Sequence, residues 1–245
     1  MKSNSVLALV FLGIFLWPQL AASESVDIVT FSYPPYMNTD GSGILARIIG
    51  ETTKNTGIRV SYKVYPRKRA VLVFNQRETE GLFLGERGYF PDLKNFEVFT
   101  LLEFRTVFVY VKANHPTLKY KGLADLAGKR VGVSFGSVLI PLFKDYGMIV
   151  EEAHLENNLA RLQTGRIDFW HTVDTAALGM VKKTYPGREK DFGFLDDETH
   201  TADLMVKKGS RSTGAFKRMV NRYIILEKQG EIRKLLEPRP EKGKP

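Results

Sequence analysis

Strand-like and helix-like patterns alternate along this whole 245-residue chain, and that alternation restricts it to an α/β architecture. Val26 to Thr30 is a short run rich in β-branched residues. Ile44, Leu45, Ile48, Ile49 and Thr52 then recur at helical spacing, with Gly57 as a stop signal. Val60, Tyr62 and Val64 alternate as a half-buried strand does. Arg67 to Asn75 reads as a helix, Gly81 to Leu84 as a buried strand, and Thr106 to Lys112 as a β-branched and aromatic strand. The turn cluster Ala113-Asn114-His115-Pro116 opens a second unit. In it, Leu123 to Leu126 is a short helix ending at Gly128, and Arg130 to Phe135 is a strand. Ser137 is placed to cap a helix from Val138 to Tyr146. Asn157 to Thr164 and Thr175 to Tyr185 read as helices, with Asp168 to His171 as a strand between them. Ala202 to Lys207 is a further strand. Thr213 to Gln229 is an amphipathic helix with Phe216, Met219, Val220, Tyr223, Ile224 and Leu226 on its apolar side, and Glu231 to Leu236 is a short helix.

The amino terminus points to export. Lys2 precedes an apolar run from Val6 to Trp17, and Ala21-Ala22-Ser23 follows, the pattern of a cleaved secretory signal over residues 1–23. The run is shorter than the roughly 20 apolar residues that span a bilayer. About 220 residues then remain, enough for one large α/β domain or two smaller ones. The chain has no cysteine, so an exported form must rest on its hydrophobic core instead of on disulfides. With no cysteine to carry a lipid anchor, an outer membrane has to retain it, which makes the expected location periplasmic. The formal charge of +9 falls to +8 when Lys2 leaves with the signal. Its cations (Lys54, Lys63, Lys68, Lys112 and Lys129 among them) are scattered and not gathered into a stripe with aromatics. They read as solvated faces, and nucleic acid is not an expected partner.

Several segments occur in a recognisable order. Tyr33-Pro34-Pro35-Tyr36, the helix after Gly43 and the segment from Gly81 to Gly85 come first. Then come Leu123-Ala124-Asp125-Leu126-Ala127-Gly128-Lys129-Arg130-Val131-Gly132-Val133, the pair Gly136-Ser137, and Gly165-Arg166-Ile167-Asp168. Together they resemble the family 3 extracellular solute-binding proteins, whose best-known members deliver polar amino acids to ABC importers. The resemblance implies two α/β lobes joined by a double-strand hinge, a periplasmic binding protein type 2-like fold. Lobe 1 would hold residues 25–109 plus 205–236, lobe 2 residues 110–204, and residues 237–245 would form a flexible tail. The strands Thr106 to Lys112 and Ala202 to Lys207 become the hinge, and the ligand sits in the cleft between the lobes.

The same resemblance implies a set of site residues. Tyr33 would pack on the ligand, with Tyr36 and Tyr65 nearby. Gly136 and Ser137 match a turn whose backbone N–H groups hold an anionic group at a helix start. Trp170 and His171 end a strand facing the site. The family departs at three positions: its ligand-binding arginine, threonine and aspartate fall on Asp92, Val138 and Val173. Arg87 and Asp174 are the nearest residues able to replace the two charges, a guanidinium being suited to carboxylate recognition. Arg69 is either a further cleft cation or part of a solvated helix face.

The expected function is capture of a small polar ligand, anionic or zwitterionic and amino-acid-like, for ABC import. The alternatives are a ligand-sensing protein for a membrane receptor and a dehydratase-type enzyme on the same fold. Enzymatic activity is not expected, because Glu86 with His171 is the only acid–base pairing on offer and no spacing supports it. The four histidines, His115, His154, His171 and His200, have no metal-ligand spacing, so no metal or cofactor is expected. The partners anticipated are the small-molecule ligand and a permease or receptor, with the protein itself a monomer.

Overall fold

In the computed structural model, residues 24–76, 79–85, 87, 90, 92–210 and 213–236 are described. The expected signal peptide and carboxyl-terminal tail lie outside them. The first unit runs β1 (Glu24–Phe31), α1 (Ile44–Thr53), β2 (Ile58–Tyr65), α2 (Arg67–Asn75) and β3 (Gly81–Gly85). A 16-residue strand, β4 (Phe96–Val111), leads out of it. The second unit repeats the plan with β5 (Arg130–Ser134), α3 (Ile140–Asp145), β6 (Ile149–Ala153), α4 (Leu155–Gln163) and β7 (Phe169–Val173). After α5 (Asp174–Thr184), the 16-residue β8 (Phe192–Lys207) runs back beside β4, and α6 (Thr213–Lys228) and α7 (Glu231–Leu236) finish the described chain.

The strands lie in the order β2-β1-β3-β8-β4-β7-β5-β6. Each end of this sheet is a parallel triplet with the first strand in the middle, β2-β1-β3 at one end and β6-β5-β7 at the other. Parallel strands need crossover helices, and α1, α2, α3 and α4 supply them. The long β4 and β8 pair antiparallel and join the triplets. Their register shifts between Thr100 and Leu102 and again between Arg105 and Val107, irregularities that bend and twist a ribbon where it passes between bodies.

Hydrophobic clusters divide at the same place. One gathers residues 26–102 and 202–232, including Phe74, Phe83, Met205 and Phe216, all within 1% of complete burial. Two others, around Trp170 and Phe143, take residues 107–195. The intervening ribbon exposes Glu103, Arg105, Glu198 and Thr199. Tyr33 packs on clusters from both sides, while Val173 and Ala176 of the second unit belong to the first cluster, so the two lobes are in contact.

Three local expectations are corrected. Helix α3 begins at Ile140, not Val138, and Ser137 is not its N-cap. Pro141 is the reason: a start at Val138 would require the missing proline N–H to donate within the helix, whereas at the second position it has nothing to donate to. The hinge strands start ten residues earlier than the periodicity suggests, at Phe96 and Phe192. Ile224 is 40% exposed, off the buried stripe of α6 formed by Ala215, Phe216, Met219, Tyr223 and Leu226.

Candidate functional site

In open α/β sheets the space beyond the carboxyl ends of the parallel strands is where ligands collect, because loops there diverge at the point where strand order reverses. Both triplets present that edge to each other. A cavity of ≈ 370 Å³ lies between them. It is lined by Phe31 at the end of β1 and Tyr33 beyond it, Leu84 in β3 and Arg87 beyond it, Ser134 at the end of β5 and Ser137 beyond it, and Thr172 and Val173 at the end of β7. Phe104, Thr106, Thr199 and Thr201 of the ribbon also line it. The volume lies in the range of small-molecule sites.

The tyrosine pair is built by a tight turn. The Pro34–Pro35 peptide is cis, the Tyr36 N–H donates to the Tyr33 carbonyl at 2.9 Å, and the Tyr33 N–H donates to Met37 at 2.7 Å. The start of α1 closes over this turn, Ile44 and Leu45 donating to the Pro35 and Tyr36 carbonyls at 3.1 and 2.9 Å. Gly43 makes that possible: its φ is 129°, and a Cβ there would lie 2.6 Å from the Tyr36 oxygen. Both hydroxyls then reach the second lobe. Tyr33 Oη is 3.0 Å from Thr172 Oγ1 and accepts from the Val173 N–H at 3.3 Å, and Tyr36 Oη is 2.7 Å from Thr175 Oγ1. Burial, with Asp174 and Tyr33 adding to it against the Thr175 hydrogen bond, raises the Tyr36 pKa and keeps the phenol neutral.

Two guanidinium groups stand on the lobe 1 wall. Arg67, the first residue of α2, holds its Cζ 4.5 Å from the Phe31 ring centroid and 5.6 Å from that of Tyr33. Arg87 is committed to a buried carboxylate: its Nε donates to Asp203 at 2.8 Å, and its Nη2 lies 3.1 Å from Thr100 Oγ1. Asp203 has no exposed side-chain surface and also accepts from Thr100 at 2.9 Å and Thr201 at 3.2 Å. The Asp203 hydrogen bond and charge raise the Arg87 pKa further.

On the other side, His171 Nε2 is 2.9 Å from Asp197 Oδ2, and its ring lies 4.8 and 4.9 Å from those of Phe108 and Phe143. Thr106 donates to the same Asp197 oxygen at 3.2 Å. Phe104 and His200, opposite each other in the ribbon, stack at 5.9 Å.

The residues singled out from the sequence therefore separate. Tyr33, Tyr36, Arg87, Ser137 and His171 come together around the cavity. Trp170 instead fills the lobe 2 core with 0% exposure, because it sits back from the carboxyl end of β7, packed in the cluster with Val109, Leu159 and Ile167. Tyr65 packs on the lobe 1 cluster under Arg69, whose Cζ is 5.1 Å from its ring. Asp174 opens α5 and pairs with Arg105 at 3.4 Å, outside the lining. Gly136 lies beneath the Lys68 stem, where a Cβ would come within 3.1 Å of it. Three backbone donors there are already used: Gly136 N–H donates to Glu152 at 2.7 Å, Ser137 N–H to Ser134 at 3.1 Å, and Leu139 N–H to Ser137 Oγ at 3.3 Å. Glu86, the acid partner considered for His171, lies outside the described residues. Arg67 was missed, although its place directly after the β2 strand and Pro66 is a carboxyl-end position of the kind that faces such clefts. Among the described residues there is no group of three His, Cys, Asp or Glu side chains able to hold a metal ion. No helix among them is long and apolar enough to cross a membrane.

No protein-family model matches the sequence, and no curated protein is similar to it at the sequence level. The structure is similar to the GluR0 ligand-binding core in complex with L-glutamate, with a TM-score of 0.72, 12% identity, and coverage of 87% of this chain and 97% of that one. It is similar to the substrate binding protein of an amino acid ABC transporter (TM-score 0.66, 19% identity, 86% and 97% covered). It is also similar to a histidine kinase sensor domain that resembles periplasmic binding proteins (TM-score 0.70, 14% identity, 87% and 95% covered). At these identities the likeness speaks for the fold. The chain has the type 2 periplasmic-binding-protein fold, two α/β lobes on a double-strand hinge.

Proposed function

We propose that this chain is an exported solute-binding protein that captures a small anionic or zwitterionic molecule between its lobes, without converting it, for delivery to an ABC permease in the periplasm. The observation that carries this reading is the cavity of ≈ 370 Å³, walled by the carboxyl ends of parallel strands from both lobes. A ligand held by two walls stabilises the closed form over the open one in proportion to its differential contacts. The pivot is proposed at 103–106 and 198–201, where the ribbon changes register between the two sets of buried clusters. Tyr33, Tyr36, Ser137 and Arg87 are proposed as site residues, joined by Arg67, Phe104 and Thr172. Tyr33 and Tyr36 do more than pack on ligand in this reading: their hydroxyls latch lobe 1 to lobe 2.

A sensing role is the second reading, favoured by the similarity to a histidine kinase sensor domain. Binding itself is tested by a thermal-shift screen of amino acids, organic acids and sugars on the mature protein, since a ligand specific to the native state raises its stability by mass action. Capture predicts a stabilising compound that is recovered unchanged. A compound turned into product would replace capture with catalysis. Co-purification with a permease, as against a membrane receptor, decides between transport and sensing.

A further inference from the structure

Two buried carboxylates bracket the pivot, and each is held in the same way. The ribbon changes register twice. Between Thr100 and Leu102, β4 carries one residue more than β8. Between Arg105 and Val107, β8 carries one more than β4, so that Asp197 and Glu198 stand opposite Thr106. A bulge of this kind interrupts the ladder, so side chains have to hold it in shape. At the first, Asp203 of β8 accepts from its β4 partner Thr100 at 2.9 Å and from Arg87 Nε at 2.8 Å. At the second, Asp197 of β8 accepts from Thr106 at 3.2 Å and from the His171 Nε2–H at 2.9 Å. The side chains of Asp203 and Asp197 are 0% and 7% exposed.

The two arrangements answer each other across the pivot. Arg87 follows β3 in lobe 1 and His171 belongs to β7 in lobe 2, so each lobe reaches out to the bulge on its own side. Thr106 also holds the backbone of the second bulge, its Oγ1 lying 3.2 Å from the Glu198 carbonyl and accepting from the Glu198 N–H at 3.4 Å. The His171 ring packs on those of Phe108 and Phe143, which fixes its direction. A buried carboxylate that loses such a donor is left short of hydrogen bonds, and that penalty makes both pins stiff. Bending then falls on the ribbon residues between them. Arg87 and His171 also line the cavity, so the side chains that brace the pivot are ones a captured solute would meet.

Resting on the capture reading above, we propose that Arg87 and His171 are hinge-positioning residues, which through Asp203 and Asp197 fix the two ends of the segment that flexes.

The test needs no ligand. The chain has no cysteine, and Lys63→Cys in β2 and Lys182→Cys in α5 are exposed positions for nitroxide labels, one on each lobe. Pulsed electron resonance then reads the distribution of lobe separations in the ligand-free mature protein. Arg87→Met with Asp203→Leu removes the lobe 1 pin, and His171→Phe with Asp197→Leu removes the lobe 2 pin. Each replaces a polar pair by an apolar one, which keeps stability close to the parent's. Each double variant is expected to raise the population outside the parent's main separation about fivefold, the change that one lost hydrogen bond makes. Gly132→Ala, which crowds Ile167 and Asn158 within lobe 2, is expected to lower the melting temperature and leave the distribution as it was. A double variant that keeps the parent's distribution overturns the proposal, its pin being packing alone. Equal broadening by Gly132→Ala overturns it as well, since lost stability would then explain the change. Tyr33→Phe with Tyr36→Phe separates this failure from that of capture. If the tyrosine pair shifts the distribution and the pin variants do not, the lobes still move and only the pins are lost. If no variant shifts it, closure and the capture reading fall together.

Discussion

Arg87→Ala is the substitution whose effect can be worked most fully from the structure. Arg87 sits on the cavity wall, so its loss looks at first like the loss of a ligand contact. The geometry says that it acts first on stability. Asp203 has 0% side-chain exposure, and among the described residues Arg87 supplies the guanidinium on it, with Nε at 2.8 Å and Nη2 at 3.4 Å. Removing the arginine leaves a buried carboxylate with two threonine hydroxyls for company. Breaking a buried pair from one side typically destabilises by about 3–5 kcal/mol. The Arg87 side chain is 50% exposed, so water can enter where it was, which favours the lower end at about 3 kcal/mol. For a chain of this size that corresponds to a fall in melting temperature of about 6–12 °C. The double variant Arg87→Met with Asp203→Leu removes both charges and is expected to lie within about 1 kcal/mol of the parent, because a well-packed apolar pair replaces a buried ion pair at little loss. Urea unfolding followed by circular dichroism measures all three proteins. A single variant as stable as the parent, or a double variant no better than the single, refutes the reasoning.

Other consequences are more local. Gly132→Ala would place a Cβ 2.5 Å from Ile167 Cδ1 and 2.7 Å from the fully buried Asn158 Oδ1, so it is expected to destabilise lobe 2 by about 1–3 kcal/mol in thermal unfolding. Asp168 accepts from the Arg130 backbone and guanidinium at 2.8 Å, and although burial works the other way, Arg130 lowers its pKa below the ordinary 3.8. A lowered native pKa stabilises the fold above pH 3.8 and the benefit is lost as pH falls through the native value, so the stability gap between parent and Asp168→Asn should be constant near neutrality and close in acid. A gap unchanged down to the acid transition would contradict it. Tyr33→Phe with Tyr36→Phe removes the hydroxyls that cross between lobes; at about 1 kcal/mol per hydrogen bond the pair should move the open–closed balance roughly tenfold or more toward open, seen as a larger radius of gyration in X-ray scattering. An unchanged radius would show that the hydroxyls do not hold the lobes.

Elements whose stability is decided locally were legible in the sequence. The helix Arg67–Asn75 agrees with its expected limits, and β1 and α1 follow directly from β-branched runs and helical spacing. The first halves of β4 and β8 were not legible. Glu97, Glu103 and Arg105 interrupt one, and Asp196-Asp197-Glu198 make the other look like a solvated loop. These residues are tolerated as strand because each ribbon strand is the other's partner over its full length. Site residues divided along the same line. Tyr33 and Tyr36 came from the resemblance carried by Tyr33-Pro34-Pro35-Tyr36, and the structure places both at the cavity. Arg87, Asp174 and Trp170 depended on which way a side chain points and on what else is near it. Asp203 lies 116 residues from Arg87, Arg105 lies 69 from Asp174, and no local pattern reports either pairing. Arg67 was overlooked in favour of Arg69 because both occupy one basic helix start, and only the position of the Phe31 ring tells them apart.

The absence of cysteine from the chain gives a direct way to test closure, since two introduced thiols are unique labelling sites. Lys54→Cys in lobe 1 and Lys144→Cys in lobe 2 are both exposed positions for a donor and an acceptor dye. Single-molecule energy transfer should then show a broad, longer separation without ligand, collapsing to one shorter separation when a compound that binds in the thermal-shift screen is saturating. A separation that stays the same with and without a bound compound would mean that the two halves do not move to enclose a solute.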